Sequence, residues 1–413
     1  VRLTVSEQRM LDGAEGEAVR RALAYQVQVG DFFDAPDFVP VRSAHLMADA
    51  EALRDDGIEL LEELAGLGAT FRVPTTTNPR SVDFEHMAAL GQRPVWGDRE
   101  RRIIAAFAHL GAIQCHTCIN YQTVDQPLPG EHLAWGDTGT VIWANSIRAA
   151  RSNFEAGPAA LMAGITGRVP RYGFHLDATR HATVRIEVTA PLRDLADWGA
   201  LGCWAGRRIN DYWTVPAFDL SDAPATPDGL KHLGAALASY GSCAMFHVLG
   251  LTPEAPSAQA AFGDVPPVQT WRCDADDLQA IFRGFEPERA SVDLVVFSAP
   301  QLSEFELRDL AARFAGRRVA DSTRLLLTTN RAVYADARAS GHTEPIERAG
   351  GLILQGTCFY LMAPQELAAD HGYHTLVTNS AKLANIIAGY GYNPVFRPTD
   401  VCVQAALSGR LPW

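Results

Sequence analysis

The side chains best able to do chemistry in this 413-residue chain are its seven cysteines: Cys115, Cys118, Cys203, Cys243, Cys273, Cys358 and Cys402. A thiol packs as a small hydrophobe, acts as a nucleophile or binds a soft metal, and its surroundings decide which. Cys203 and Cys243 lie among Gly, Ala, Trp and Met and read as packing residues. Cys273, in TWRCDADD, has no thiol or imidazole nearby and reads as structural or surface. Cys115-His116-Thr117-Cys118 has metal-ligand spacing but lacks the second CxxC of a zinc ribbon. Cys358 follows an apolar run, in a loop. Cys402 follows Thr399-Asp400 at a helix start, where N–H groups and the helix dipole favour a thiolate. Loop and helix-start thiols so far apart suit an iron–sulfur cluster better than a zinc finger, with simple packing an equal alternative.

Other polar groups sit where loops are expected. The Pro/Gly-rich loop Gly130 to Thr138 carries Glu131, His132 and Trp135, and the charged pair reads as site-lining. Thr140 to Ala144 reads as an apolar strand that stops at Asn145-Ser146, which either orient a substrate or satisfy loop amides. Arg42, Ser43 and His45 (in RSAHL) are candidates to bind a carboxylate or phosphate, or to cap a surface helix. Thr75, Thr76 and Asn78 form either a polar site loop or a plain Asn-Pro turn. Lys382 opens a helix after Thr378-Asn379-Ser380 and reads as an anion or substrate contact. His175 and Asp177 make either a supporting pair or a structural hydrogen bond. His86, His109, His342 and His371 read as solvated or packing residues.

The elements that must position these groups alternate between helix and strand patterns. Ser6 to Val27, Leu46 to Leu67 and Arg99 to Leu110 have helical spacing, and Ala69 to Val73 reads as a short strand. In the second half, short apolar strands at Val292 to Phe297, Arg324 to Thr328, Leu352 to Leu354 and His374 to Val377 are mostly followed by helices. These helices are Ser303 to Phe314, Arg331 to Ser340 and Ser380 to Ala388. That order predicts an α/β fold with parallel sheets, whose ligands bind beyond the carboxyl ends of the strands. Asp219 to Asp264, rich in Pro and Ala, reads as a connection or an insertion.

Composition narrows the function. A net charge of −12 and a pI near 5.5 argue against nucleic-acid and anionic-membrane partners, which need a basic face. No apolar run has the length of a membrane span, and the opening VRLTVSEQRML carries no signal-peptide core, so a cytoplasmic location with reduced thiols is expected. Lys231 and Lys382 are the only lysines; Arg supplies the rest of the basic charge.

The residues also carry a resemblance. VPVRSAHL (39–46), VPTTTNPR (73–80), Thr117-Cys118, GEHLAW (130–135), ANS (144–146), ITGRVP (165–170), YGFHLD (172–177), LTPEAP (251–256), TTNRAVY (328–334) and TNSAK (378–382) stand in one order and spacing. In that order the chain resembles the large subunit of the aconitase X family, hydro-lyases distantly related to aconitase. The resemblance implies an aconitase-like fold of several α/β layers over residues 1–413, with sub-lobes 1–285 and 286–413. It places the iron ligands at Cys118, Cys358 and Cys402, leaving Cys115 outside the set. The centre it implies is a 4Fe–4S or 2Fe–2S cluster or a mononuclear iron. It also implies a small swivel domain that supplies a serine to the active site. The chain stops at Trp413, soon after the Cys402 helix, so that domain is expected as a separate subunit.

Two substrates are implied within the family: cis-3-hydroxy-L-proline, mostly in bacteria, and mevalonate 5-phosphate, mostly in archaea. The Arg-rich, lysine-poor composition points to the first. His45, Glu131 and His132 are the candidates for proton transfer in this chain. Substrate contacts are expected from Arg42, Ser43, Thr75, Thr76, Asn145, Ser146 and Lys382. Three positions leave the family pattern: Gly136-Asp137, Gln301 in place of a histidine, and Gly356 where many relatives have an acid. These departures admit a different hydroxy acid as substrate. A noncatalytic scaffold subunit with the same fold is the reading from another class, and a zinc enzyme using Cys115 and Cys118 is a further one.

Overall fold

A computed structural model gives the structure of residues 1–220 and 224–411. Residues 221–223, within the Pro/Ala-rich stretch, and 412–413, at the expected end, lie outside the described residues. The chain divides into two compact units, each discontinuous in sequence. The first comprises Val1–Arg80, Arg93–Ala182 and Ala244–Pro266; the second comprises Ser81–Gln92, Thr183–Cys243 and Pro267–Trp413. The expected sub-lobe boundary near residue 285 falls inside the second unit.

The first unit is built on a parallel sheet of three short strands, β1 (Ala44–Leu46), β2 (Thr75–Thr77) and β3 (Ala134–Trp135), in the order β2-β1-β3. Val41, Ala44, Ala134, Ala163 and Val169 form a core cluster beside it. The helical pattern at Ser6 to Val27 proves to be two helices, α1 (Val5–Leu11) and α2 (Glu17–Phe32). Thr4 caps the first of them through a capping box with Glu7. Leu46 ends a strand rather than starting a helix: α3 (Ala50–Gly66) begins after Asp49, whose carboxylate accepts from the N–H groups of Glu51 and Ala52.

The run Thr140 to Ala144 is not a strand. It lies inside the helix α4 (Thr138–Ile147), capped by Asp137, which accepts from the N–H groups of Gly139 and Thr140. Every residue from Gly139 to Ser146 is buried, so no polar face marks the helical period.

The second unit holds the sheet foreseen from the sequence. Its strands are β4 (Leu294–Phe297), β5 (Arg324–Thr329), β6 (Gly351–Gln355), β7 (Thr375–Thr378) and β8 (Asn393–Phe396), all parallel, in the order β6-β5-β4-β7-β8. Leu294 to Phe297 are wholly buried, as the central strand of a sheet covered on both faces requires. The chain runs outward from β4 through β5 and β6, then resumes on the other side of β4 with β7. The topological switch point therefore lies between β4 and β7. Three further strands, Pro216–Asp219, Val184–Val188 and Gln269–Cys273, pair in parallel with Val184–Val188 at the centre.

The Pro/Ala-rich stretch contains a long helix, α6 (Pro227–Gly241), opened by Thr226 as N-cap and Pro227 at the first position. It packs on α5 (Leu195–Ile209) so closely that a Cβ at Gly202 would stand 2.5 Å from the Leu233 carbonyl oxygen and 2.8 Å from Ala236 Cβ. Gly202→Ala gains up to about 1 kcal/mol of helix propensity but forces the helices apart, an overpacking cost of about 1–3 kcal/mol. We expect a net loss of about 1–2 kcal/mol, measured by urea unfolding.

Candidate active site

Each of the three cysteines expected to bind iron lies just past the carboxyl edge of a parallel sheet. In the first unit, Thr77 at the end of β2 holds the segment carrying Cys118. The Thr77 carbonyl accepts from Thr117 N–H at 3.0 Å, and its hydroxyl accepts from His116 N–H at 3.2 Å. Cys118 is 6% exposed. The Cys115 thiol donates to the Thr77 carbonyl at 3.4 Å, and burial pushes its pKa up.

In the second unit, β6 ends at Gln355 and the chain turns through Gly356, whose φ of +67° is a left-handed conformation that favours glycine. Cys358, 1% exposed, reaches over the end of β4, where its Sγ lies 3.5 Å from Ser298 Oγ. Cys402 sits in the first turn of α7 (Thr399–Ser408), directly after β8. Its thiol donates to the Arg397 carbonyl at 3.3 Å. The expected thiolate does not arise from the helix start alone. Burial, with the charge of Asp194, pushes the Cys402 thiol far up.

A cavity of about 530 Å³ opens in this unit, with Leu302 and Phe305 after β4, Asn379 at the end of β7 and Thr399 one turn before Cys402 on its wall. It is of a size for a small molecule. Among the described residues, no group of three or more His, Cys, Asp or Glu side chains has the spacing of a metal site.

The polar residues of the first unit form two groups. His45 is fully buried, with Nδ1 2.8 Å from Thr76 Oγ1 and Nε2 3.2 Å from Asn78 Oδ1. Burial lowers its pKa, with Asp137 and Asn78 opposing, so it is a neutral hydrogen-bonding ring at pH 7. Asp137, whose charge opposes the lowering of the His45 pKa, serves as the cap of α4. Ser43 Oγ accepts from Trp135 Nε1 at 3.2 Å, and Thr75 donates to the Val73 carbonyl.

In the second group, Arg42 is ion-paired with Asp125 and lies 3.3 Å from Glu131, which also accepts from Leu128 N–H. His132 Nδ1 lies 2.9 Å from His175 Nδ1. His175 therefore partners His132 rather than Asp177, which is paired with Arg151. Burial, then His175 and Arg151, Arg171 and Arg180, lower the His132 pKa to about 4. As a neutral imidazole at pH 7 it can accept a proton but has none to give from an imidazolium. Folding that keeps His132 and His45 neutral loses stability as pH falls below about 6.5, because the unfolded chain takes up the protons first. For half-exposed His132, discounted for solvent, we expect about 1–2 kcal/mol between pH 7 and pH 4. Urea melts across that range should show a smaller loss for His132→Asn.

Asn145 and Ser146 sit on α4, not at a strand end. The Asn145 amide donates to the carbonyls of Ser152 and Ala244 and accepts from Ser152 N–H, and Ser146 Oγ accepts from Phe246 N–H. Both side chains hold loops together. Lys382, 6% exposed, lies in the second unit with its Nζ 5.9 Å from the Tyr360 ring centre. Sequence reasoning missed Asp125, Ser298 and the buried group Lys231, His232, Asp228 and Glu306. Arg42 and Asp125, Ser298 and Cys358, and Lys231 and Glu306 lie far apart along the chain, so spacing offered no signal.

Parallel α/β units with buried thiols at strand carboxyl ends define an aconitase-like protein. Comparison with known proteins agrees. Residues 1–178 match the aconitase X first domain, 182–283 the second and 292–408 the third. The chain belongs to the aconitase X family. It is 35% identical to the phosphomevalonate dehydratase large subunit of Methanothermobacter thermautotrophicus, over 94% of each chain. It is 34% identical to the cis-3-hydroxy-L-proline dehydratase of Pseudomonas aeruginosa, covering all of this chain and 71% of that protein. The crystal structure of Thermococcus kodakaraensis aconitase X in its holo form has a TM-score of 0.89 and 31% identity, over 98% of this chain and all of that one. The family and the aconitase-like fold expected from the sequence are both borne out. The relatives' names agree with the expected activity, a hydro-lyase that dehydrates a hydroxy acid.

Proposed function

We propose that the chain is the large subunit of an iron-dependent dehydratase, with Cys118, Cys358 and Cys402 as iron ligands and a separate small swivel-domain subunit as partner. The observation that carries this reading is the position of all three buried thiols at the carboxyl edges of parallel sheets. The donor set fits iron. Thiolates are its usual protein ligands, and a positive centre offsets the burial that holds Cys402 protonated. Close in sequence to two of the thiols, buried side-chain atoms have no hydrogen-bond partner: Thr357 Oγ1, one residue before Cys358, and both amide atoms of Asn120, two residues after Cys118. When bound, iron with three thiolate ligands and an open position supplies a Lewis acid for the leaving hydroxyl.

The chain's own residues then bind and orient. His45, fixed between Thr76 and Asn78, offers a neutral ring in a set geometry. Arg42 is matched by two carboxylates, Asp125 and Glu131. A phosphate wants two or three unshared cations at one point. An amino acid, carrying both charges, is better suited to this mixed group, which supports cis-3-hydroxy-L-proline as substrate. Mevalonate 5-phosphate is the second reading, supported by relatives of this chain's own length that are named phosphomevalonate dehydratase large subunit. A location in the cytoplasm fits a chain in which no described helix is long and apolar enough to cross a membrane.

The test is anaerobic co-expression with the small subunit and a dehydration assay on both compounds. Iron in the protein and turnover of cis-3-hydroxy-L-proline are expected. Turnover only of mevalonate 5-phosphate overturns the substrate, and turnover by the chain alone overturns the two-subunit reading.

A further inference from the structure

The segment after β4 holds the Cys358 loop from two sides. On one side, Ser298 Oγ stands 3.5 Å from Cys358 Sγ, accepts from Phe359 N–H at 3.1 Å and lies 2.7 Å from Thr328 Oγ1. A hydroxyl has one proton and two acceptor positions. A thiolate has no proton to offer, so beside a thiolate the Ser298 proton goes to sulfur. Phe359 N–H and the Thr328 hydroxyl then fill the two acceptor positions.

On the other side, Gln301 Nε2 donates to the Thr357 carbonyl at 3.0 Å and to the Thr329 carbonyl at 3.3 Å, tying the residue before Cys358 to the end of β5. Gln301 is itself anchored: its backbone carbonyl accepts from Lys231 Nζ at 3.3 Å, and Lys231 is ion-paired with Glu306 and Asp228. Ser298, Gln301, Thr357 and Cys358 are all buried, and all belong to the second unit.

We propose that Ser298 is a positioning residue for Cys358: its hydroxyl donates to the thiolate that binds iron, while Gln301 fixes the backbone of the same loop. The inference rests on the iron reading of Cys358 above. Hydrogen bonds to ligand sulfur strengthen metal retention and raise the reduction potential, and loss of such an outer partner weakens metal affinity by about 10- to 100-fold.

The experiment uses the full chain, purified anaerobically, with three variants: Ser298→Ala, Ser298→Thr and Gln301→Met. Iron per chain is followed during titration with a chelator, together with the visible absorption and the midpoint potential; thermal melts check that each variant folds. Ser298→Ala is expected to give up iron at about 10-fold lower chelator concentration or less, with a more negative potential. Ser298→Thr, which keeps the hydroxyl, should behave as the parent. Gln301→Met should weaken retention without removing the Ser298 effect on potential. If the parent binds iron and Ser298→Ala matches it in both retention and potential, the inference falls while the iron reading stands. If the parent chain holds no iron at all, the iron reading falls and takes this one with it.

Discussion

Replacing Cys118 with Ser is expected to strip the protein of iron and abolish dehydration, whereas replacing Cys115, three residues earlier, is expected to leave both intact. Thr77 at the end of β2 accepts from the Cys115 thiol and from the backbone just before Cys118, yet the two cysteines are expected to differ. Cys115 spends its proton on the Thr77 carbonyl, and burial holds that proton in place. Cys402 keeps a similar thiol-to-carbonyl bond, so the different expectation for Cys115 rests on the family resemblance, which leaves it outside the ligand set. Cys118 lies beyond the strand end, two residues before Asn120 and its unpartnered amide. A serine there offers an alcohol that hardly ionises near neutral pH and binds iron poorly. Iron and sulfide analysis of Cys118→Ser should fall from near-stoichiometric to background. For Cys115→Ser, iron should match the parent and stability should change by less than about 1 kcal/mol. Retained iron in the first, or lost iron in the second, would reverse the ligand assignment.

Lys231→Met is expected to cost about 3–5 kcal/mol, the largest stability loss from any single side chain discussed above. Lys231 is buried, paired with Glu306 and 3.0 Å from Asp228, while His232 Nε2 lies 2.8 Å from the other Glu306 oxygen. Burial alone would raise the Glu306 pKa; Lys231 and His232 outweigh it and hold the carboxyl at about 2. For Lys231, burial works against the charge, and Glu306 and Asp228 reverse it. Removing the ammonium leaves two buried carboxylates facing one another's charge. The sign of the pH dependence follows. Since Glu306 titrates lower in the folded chain than in the unfolded one, its stabilisation is present above about 4.5 and lost as pH falls toward 2. In Lys231→Met that acid-side loss should shrink, because Glu306 no longer has its main partner. Adding Glu306→Leu to Lys231→Met should recover part of the loss, since an apolar pair needs no compensation. Urea unfolding of the two variants and the parent decides this; equal stability of Lys231→Met and the parent would show the pair to be energetically idle.

The sequence made some of this legible and hid the rest for physical reasons. The five-stranded sheet could be read because its strands are short, continuously apolar and followed by capped helices such as the one after Ser303. The same rule failed at Thr140 to Ala144, where a helix buried on every side has the composition of a buried strand. Asp137, followed by Gly139 and Thr140 whose N–H groups it caps, was the overlooked signal. Thr226-Pro227 likewise announced a helix inside a stretch dismissed as Pro- and Ala-rich; its small residues are there because α5 lies against it. The candidate ligands Cys118, Cys358 and Cys402 were singled out by their loop and helix-start positions together with the family resemblance. Ser298 was not, because it reaches Cys358 across 60 residues, nor was Asp125, which pairs with Arg42 across 83. No local pattern records such pairs.

The scarcity of lysine has a practical use. Both lysines of the chain are buried, Lys231 in an ion network and Lys382 beside an aromatic ring, and both lie in the second unit. Amine-directed reagents therefore find no exposed lysine on the native protein, and its exposed basic side chains are arginines. Covalent labelling at either lysine is consequently a clock for the opening of that unit. The rate at which Lys231 is tagged reports how often the ion network comes apart, and the rate at Lys382 reports the start of the helix after β7, each measurable by mass spectrometry in the same sample.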